Sequence, residues 1–419
     1  MNQQTIIKEI QKEKLIAGDT NLRTIAGAID RLQKAFPRYE SFLMEFLQNA
    51  DDAKSTKIKI EIEGDEVKIS NDGSPFSKED VQSICDIARS QKSPKNYIGY
   101  LGVGFKSVFL VSDCPRIYSN GFSFKFDKNQ HPNPKKVPWQ IVPYWIEENG
   151  KLESGFQTTF VFKVKQKVLL KKIREEVKPE HINERILLFL RNITEIHIIE
   201  RKWKFERIIR KKTEKKSRDH QVVNIHESIG KKAHSSKWLL FRKTFSVPTD
   251  VEKDYITIDW ERGNIKKREV VIAYKLTEDG KLQIEEHGTA HIGVFSFLPL
   301  KEIESGLKFL IHGDFLTTPG RSELARECKW NEWLADCCKN LITDKCIESF
   351  KKHSSWKYNY TNILEGNYGG HELFKKCIIE PIEEFLDDNL LLVAEDGTLC
   401  KPDKLIKVHP TVRALFTKA

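Results

Sequence analysis

A chain of 419 residues exceeds what one ordinary core accommodates and sets an expectation of two or three domains. With 39% hydrophobic and 31% charged residues it reads as a folded soluble protein, and no apolar run approaches the roughly 18 residues of a membrane helix. Eight scattered cysteines without a C-x-x-C pair argue against a zinc module or disulfide framework and, with no secretory signal in Met1–Lys14, point to a reducing cytoplasm, while the formal charge of +10 favours anionic partners only in a general way.

In chain order, the first segment is expected to be helical, with Ile6, Ile7, Ile10 and Leu15 preceding a second helix near Leu22–Ala35. Beyond Pro37 a helix is predicted from Tyr39 to Ala53, its Phe42, Leu43, Phe46 and Leu47 at helical spacing. Lys57–Glu63 alternates strictly, which predicts a half-buried strand with Ile58, Ile60 and Ile62 on one side. Gly64–Asp65 turns it into a partner strand carrying Val67 and Ile69. Ser77 and Asp80 form a capping-box signature for a helix through Val81, Ile84, Ile87 and Ala88. A glycine-rich stretch, Gly99 to Gly104, leads into the apolar run Phe105–Val111. Strands around Arg116–Asp127 reverse at Asn120–Gly121, a strong hairpin signal. The four prolines of Asn129–Pro143 mark an irregular loop, and Thr158–Val164 reads as another alternating strand.

Val168–Asn192 has a helical pattern and Ile193–Ile199 that of a strand. Further strands are expected at Tyr255–Trp260, Glu269–Leu276 and His291–Leu298, a helix at Trp330–His353, and a turn at Glu395–Gly397 between short strands. Residues 1–165 are thus assigned to a first α/β unit and 166–353 to a second. Residues 354–419 form a small mixed segment that reads as the beginning of further structure. No internal repeat is visible.

Three elements carry chemistry. Glu45, Asn49 and Asp52 stand at i, i+4 and i+7, one polar stripe opposite Phe42, Phe46 and Leu47. A carboxamide oxygen ligates hard cations, and a carboxylate one turn away orients or deprotonates a water; the same stripe is also what a solvated helix face looks like. Asn71-Asp72-Gly73 places a short acid beside glycine at a strand end, which either turns a carboxylate into a pocket or makes an Asx turn. Gly99, Gly102, Val103 and Gly104, followed by Phe105-Lys106-Ser107, allow backbone to approach phosphate oxygens. Alone, such a loop is a weak signal, and it is neither a P-loop nor a dinucleotide motif.

The order E-x-x-x-N-x-x-D, strand ending in N-D-G, helix, then G-x-x-G-x-G-F-K-S closely resembles the GHKL (Bergerat-fold) ATPases. Ile87–Ser90 with Leu101–Asp113 is most similar to the heat-shock chaperone branch, and Asn71–Phe76 to its sacsin-type subgroup. Gly155-Phe-Gln-Thr158 fits the family's late-strand threonine. The resemblance implies an α+β fold: a two-layer Bergerat sandwich, its mixed and largely antiparallel sheet covered by helices on one face, followed by a second α/β domain. It implies ATP and Mg2+ as cofactors. Glu45 would be the general base that positions the attacking water, Asn49 the magnesium ligand, and Asp52 a supporting member of the stripe. Asp72 would accept from the adenine amino group and Gly73 allow close approach of the base. Gly99, Gly102, Val103 and Gly104 would form the phosphate lid, with Phe105, Lys106 and Ser107 beside it, and Thr158 would support the adenine-side water network. The family's D-x-G reads N-D-G here, so Asn71 is the alternative to Asp72. Val294–Leu300 and His312–Glu323 are similar to the sacsin-type region after the ATPase module. By that resemblance Arg321 reaches the γ-phosphate as a catalytic residue; otherwise it fixes a loop by bridging carbonyls or Glu323.

The expected function is a slow, magnesium-dependent ATPase of chaperone-like type, whose lid closure switches a client or effector protein, with bacterial defence as one setting and transient homodimerisation as part of the cycle. Two alternatives stand beside it: ATP binding without turnover, and an ATP-gated nucleic-acid-binding module. The latter would use Arg201–Arg218, where ten Lys and Arg residues interleave with Trp203, Phe205, Ile208 and Ile209, although an exposed β-ribbon has the same composition. His287 and His291 are read as structural rather than metal-binding, and Cys337 and Cys338 as buried small hydrophobes.

Overall fold

Alternation in Lys57–Glu63 becomes a strand, β1, that buries Ile58, Ile60 and Ile62 and leaves Lys59 and Glu61 only partly covered. The computed structural model describes residues 2–16, 22–27, 29, 42–86, 104–131, 137–147, 152–217, 219–284, 293–318, 321–389, 392–394 and 398–404. In it β1 pairs antiparallel with β2 (Glu66–Asn71) and parallel with β7 (Glu195–Glu200). Outward from β2 the sheet continues through β6 (Thr158–Lys163), β3 (Arg116–Ser119), β4 (Phe122–Lys125) and β5 (Tyr144–Trp145). Outward from β7 it runs through β8 (Phe205–Lys216), β9 (His220–Ile229), β10 (Lys232–Ser246) and β11 (Lys267–Leu276). It finishes with β15 (Leu310–His312), β13 (Val294–Ser296) and β14 (Leu298–Pro299), while β12 (Leu282–Gln283) pairs with the end of β11. Besides β1–β7, the pairing of β13 with β15 is parallel. The chain is therefore α+β, built on one large mixed sheet.

Two patterns of burial divide that sheet. In its first half the helices share one core with the inward residues of the strands: α1 (Gln3–Leu15), α2 (Phe42–Asp52), α3 (Lys78–Ile84), α4 (Val108–Val111), α5 (Lys167–Glu176) and α6 (Ile186–Phe189). In the second half both faces are covered. Trp238, Leu240, Val271 and Ala273 join that first core, whereas Leu239, Phe241, Val270, Ile272 and Tyr274 join a second core with the helix Lys329–Leu341. Strands buried on both faces read as continuous apolar runs, which is how β10 and β11 look in sequence. The second core also takes in Trp356, Tyr360, Phe374 and Ile378, so it crosses the boundary drawn at residue 353.

Local signals mostly hold. Ser77 and Asp80 form the capping box reciprocally, and Asn120 and Gly121 have φ of 48° and 78°, as a tight primed turn requires. Cys337 and Cys338 are buried. Three expectations are corrected. Tyr255–Trp260 is not a strand but a short helix, Tyr255–Asp259, whose first turn is capped by the Asp254 carboxylate accepting from Thr257 N at 3.1 Å. Thr158–Lys163 is a strand but does not alternate, because Thr158 through Phe162 are all buried. Val168–Asn192 splits into α5 and α6. Ile87, Ala88 and the turn at 395–397 lie outside the described residues.

The second core contains a buried ion cluster. Asp314 accepts from Arg262 at 2.7 and 3.0 Å and from Arg268 at 2.8 Å. Burial opposes its charge, yet the two guanidiniums hold the carboxyl below the usual carboxylate range. Asp314→Ala would leave two buried cations without their counter-charge, and urea unfolding should then show a loss of about 3–5 kcal/mol. A loss under about 1 kcal/mol, the size of an exposed pair, would show that the cluster is solvated.

Candidate functional site

Helical spacing on α2 buries Phe42, Leu43, Phe46 and Leu47 and leaves Glu45, Asn49 and Asp52 half-buried on the opposite side. Phe42 meets Phe162 at 5.2 Å, and Phe46 meets Phe160 at 5.0 Å and Phe105 at 6.5 Å, all edge-on. These contacts seat α2 across β6 and against the 3-10 turn Gly104–Ser107 that follows the glycine-rich stretch. The structure thus puts Glu45, Asn49 and Asp52 on the helix that packs, through Phe46, against Phe105 and the turn following the glycine-rich stretch. Gly99, Gly102 and Val103 lie outside the described residues.

The strand end beside α2 is built from hydroxyls and amides. Thr158 is 2% exposed, pairs with Asn71 across the β2–β6 ladder, and exchanges a 2.7 Å hydrogen bond with Ser119. Ser119 Oγ also accepts from Phe76 N at 2.9 Å. The buried Asn71 accepts at Oδ1 from Ser55 Oγ (3.1 Å) and from Gly73 N (3.2 Å). A backbone N–H only donates, so the amide oxygen of Asn71 is the atom that faces Gly73.

Asp72 has a different job from the one expected. Its carboxylate accepts from Thr56 N (2.8 Å), Thr56 Oγ1 (2.5 Å) and Lys57 N (2.9 Å), which ties the end of β2 to the start of β1. Asn71, not Asp72, is the member of the pair that stands beside Thr158. Gly73 is likewise required by the fold. A Cβ there would lie 2.4 Å from Ser55 Oγ and 2.6 Å from Ala53 O, so close backbone approach excludes any side chain.

Lys106 is corrected as well. It lies inward, 9% exposed, donating to Ile84 O (2.6 Å) and Gln140 O (3.1 Å) over the rings of Phe109 and Phe126. Burial pushes its amine down to about 8 from 10.5, although nearby Cys85 and Asp86 work the other way. Arg321 has φ of 58° and donates from Nη2 to Ser296 O (2.9 Å) and Leu298 O (3.3 Å), which is the carbonyl-bridging arrangement.

Sequence reasoning passed over Asp51. Its fully buried carboxylate accepts from the backbone N–H groups of Arg191 (3.1 Å), Asn192 (2.8 Å) and Ile193 (3.0 Å), and Asn192 Nδ2 donates to Asp51 O. The signal was present: Leu43, Leu47 and Asp51 fall four apart, so an acid sits on the apolar stripe. Ser119 and Phe76 were also missed, and no motif singles them out.

Much of the basic run is occupied. Arg207 is fully buried against Glu227, Lys211 donates to Leu190 O, and Arg210 and Arg201 pair with Glu195 and Glu61. Trp203 is exposed and stacks with Arg174, while Ile209 packs inward. Among the described residues no group of three or more His, Cys, Asp or Glu is placed to hold a metal, and no helix is long and apolar enough to cross a membrane. His287 and His291 lie outside those residues. The half-buried stripe of α2 offers one carboxamide, Asn49, and two carboxylates, Glu45 and Asp52.

Residues 61–172 match the family model of the Sacsin domain. The chain is similar to Protein NO VEIN of Arabidopsis thaliana, 27% identical over 394 residues that cover 87% of this chain and 13% of that protein. It is also similar to human Sacsin, 30% identical over 128 residues, 26% of this chain and 3% of that protein. The chain therefore spans only a small part of the length of these relatives. Together the matches support a sacsin-like family.

The buried amine of Lys106 gives the stability a measurable pH dependence. Its folded value lies below its ordinary one, so between about pH 8 and 10.5 the unfolded chain holds a proton that the folded chain has released. Stability contributed by this group therefore rises with pH across that window. Urea titrations at pH 7.5 and pH 10 should show wild type gaining on Lys106→Met as pH rises. A constant difference between the two proteins would place the amine in solvent.

Proposed function

We propose that the face of α2, with the ends of β2 and β6, binds magnesium-ATP and hydrolyses it slowly, as in the GHKL ATPases of chaperone-like type. The observation that carries this reading is the half-buried pair Glu45 and Asn49, one helical turn apart on the helix whose Phe46 packs against Phe105. The sacsin-type match supports it by spanning Asn71, the glycine-rich stretch and Thr158. Bound magnesium-ATP would supply the phosphoanhydride and the cation's charge. Toward it, the Asn49 carboxamide oxygen serves as a metal ligand, and Glu45 orients the attacking water and takes its proton. Asn71 takes the base-side place that the resemblance gave to an acid, with Thr158 and Ser119 holding the hydroxyl network behind it. Asp52 extends the polar stripe. Arg321 would supply positive charge to the transferring phosphoryl group.

Hydrolysis in this scheme resets a conformational switch acting on a client or effector protein, with transient pairing of two copies as part of the cycle. The continuous sheet gives such a switch its path, because β1, which follows α2, is hydrogen-bonded to β7.

Glu45→Ala separates turnover from binding. Phosphate release should fall by about 100-fold or more, the lower range for removing a positioned base. Binding of a fluorescent ATP analogue in magnesium should stay within about threefold, because the mutated group acts on water rather than on nucleotide. Equal hydrolysis by wild type and variant would remove Glu45 from the mechanism. Magnesium-dependent binding without measurable turnover in wild type would leave the site a nucleotide sensor.

A further inference from the structure

Two residues near the junction of the sheet's halves hold backbone conformations that bulky side chains avoid. Phe297, the turn residue between β13 and β14, has φ of 62°, and Arg321 has φ of 58°. Left-handed backbone at a residue that is not glycine costs on the order of 1–3 kcal/mol and persists only where its surroundings over-determine it. Here the surroundings are explicit. The Phe297 ring is 8% exposed, with the Arg191 guanidinium 4.8 Å from its centroid and the His312 ring edge-on at 4.9 Å. Its unusual turn presents the carbonyls on either side of it, Ser296 O and Leu298 O, to one nitrogen of Arg321.

Arg191 is also the first of the three residues whose backbone N–H groups are gripped by Asp51. Asp51 stands two residues after Asn49 on the same helix. A short chain of contacts thus runs from the helix of Glu45 and Asn49 to Asp51, the Arg191 turn, the Phe297 ring, its flanking carbonyls and Arg321.

We propose that Asp51, Arg191 and Phe297 are positioning residues that set where Arg321 stands relative to Glu45 and Asn49. The catalytic part of this inference rests on the ATPase reading above; the mechanical part does not. None of the three touches the reacting atoms. Their role is to convert the seat of α2 into the position of a cation on another segment of chain, through packed groups with little freedom to slide.

The test uses the full chain and two readouts. The first is amide hydrogen exchange of the segment carrying Arg321, where Thr318 N bonds to Glu323 O and Ala325 N to Leu316 O. Arg191→Ala and Phe297→Gly should each speed exchange there by about tenfold, within the range of coupling through packed networks. Arg191→Lys, which keeps the cation, should restore most of the protection. Phe297→Gly removes the ring while relieving the strained φ, so the measurement does not depend on a variant that fails to fold. The second readout is steady-state turnover and ATP affinity. Arg191→Ala and Phe297→Gly should lower kcat by about tenfold with affinity within about twofold, and neither should add to the loss already caused by Arg321→Ala.

Unchanged exchange around Arg321 overturns the proposal whatever the turnover shows. Faster exchange with losses that multiply those of Arg321→Ala overturns its catalytic part. Faster exchange in a wild type that turns over no ATP upholds the positioning chain and places the failure in the ATPase reading.

Discussion

The buried carboxylate of Asp51 is the contact on which the rest of the arrangement depends. It lies in the last turn of α2, where a helix C-terminus disfavours negative charge, and Asp52 beside it adds a second carboxylate. Three backbone N–H groups, those of Arg191, Asn192 and Ile193, make its burial tolerable. The segment that supplies them is held on its acceptor side as well. Arg242 Nη2 donates to Leu188 O at 3.0 Å and Lys211 Nζ to Leu190 O at 2.8 Å. Anion on amides and cations on carbonyls clasp residues 188–193 from two directions. The next strand, β7, then pairs with β1 in parallel, so the orientation of α2 and the entry into the second half of the sheet are set by one local geometry.

From this joint follows the asymmetry of the sheet. On the α2 side helices cover one face, and β1 alternates beneath them; on the far side both faces are covered, and β10 and β11 carry continuous apolar runs at Trp238–Phe241 and Val270–Tyr274. The candidate site belongs to the first kind of region. A helix with one apolar and one polar side can rest on a sheet there while its polar side stays partly exposed, as Glu45, Asn49 and Asp52 do on α2. Sandwiched between two cores, a polar stripe such as Glu45, Asn49 and Asp52 would be stripped of solvent at a large cost in free energy.

Legibility in the sequence tracks how local the deciding force is. The strand β1, the Ser77 cap and the Asn120–Gly121 turn are decided by neighbouring residues, and the sequence reads correctly at each. Tyr255–Trp260 has the apolar alternation of a strand, but Tyr255 and Ile258 are exposed and the Asp254 cap settles the segment as a helical turn. Site residues divide the same way. Glu45 and Asn49 are readable because helix periodicity alone puts them on one side. Asp72, Gly73 and Lys106 look like ligand-facing groups in a motif, yet each answers to a partner far along the chain or across a turn: the β1 start, the Ala53–Ser55 connection, and the Ile84 and Gln140 carbonyls. Nothing within a window of ten residues announces those partners.

The same distinction changes what the basic composition means. A formal charge of +10 invites thoughts of a polyanionic partner, and the run from Arg201 to Arg218 is its densest expression. In the fold, however, several of the chain's cations are structural. Lys106, Arg262 and Arg268 are buried beside carbonyls or Asp314, and Arg207 is buried against Glu227. Lys211 and Arg242 hold the carbonyls of the 188–193 clasp, and Arg191 lies over Phe297. A cation committed to a carbonyl or a buried acid contributes little to the attraction of a distant phosphate backbone, because its field is already answered locally. Several of the cations that make the chain basic therefore fasten the fold itself, Lys211 and Arg242 by holding polar backbone at the joint between its halves.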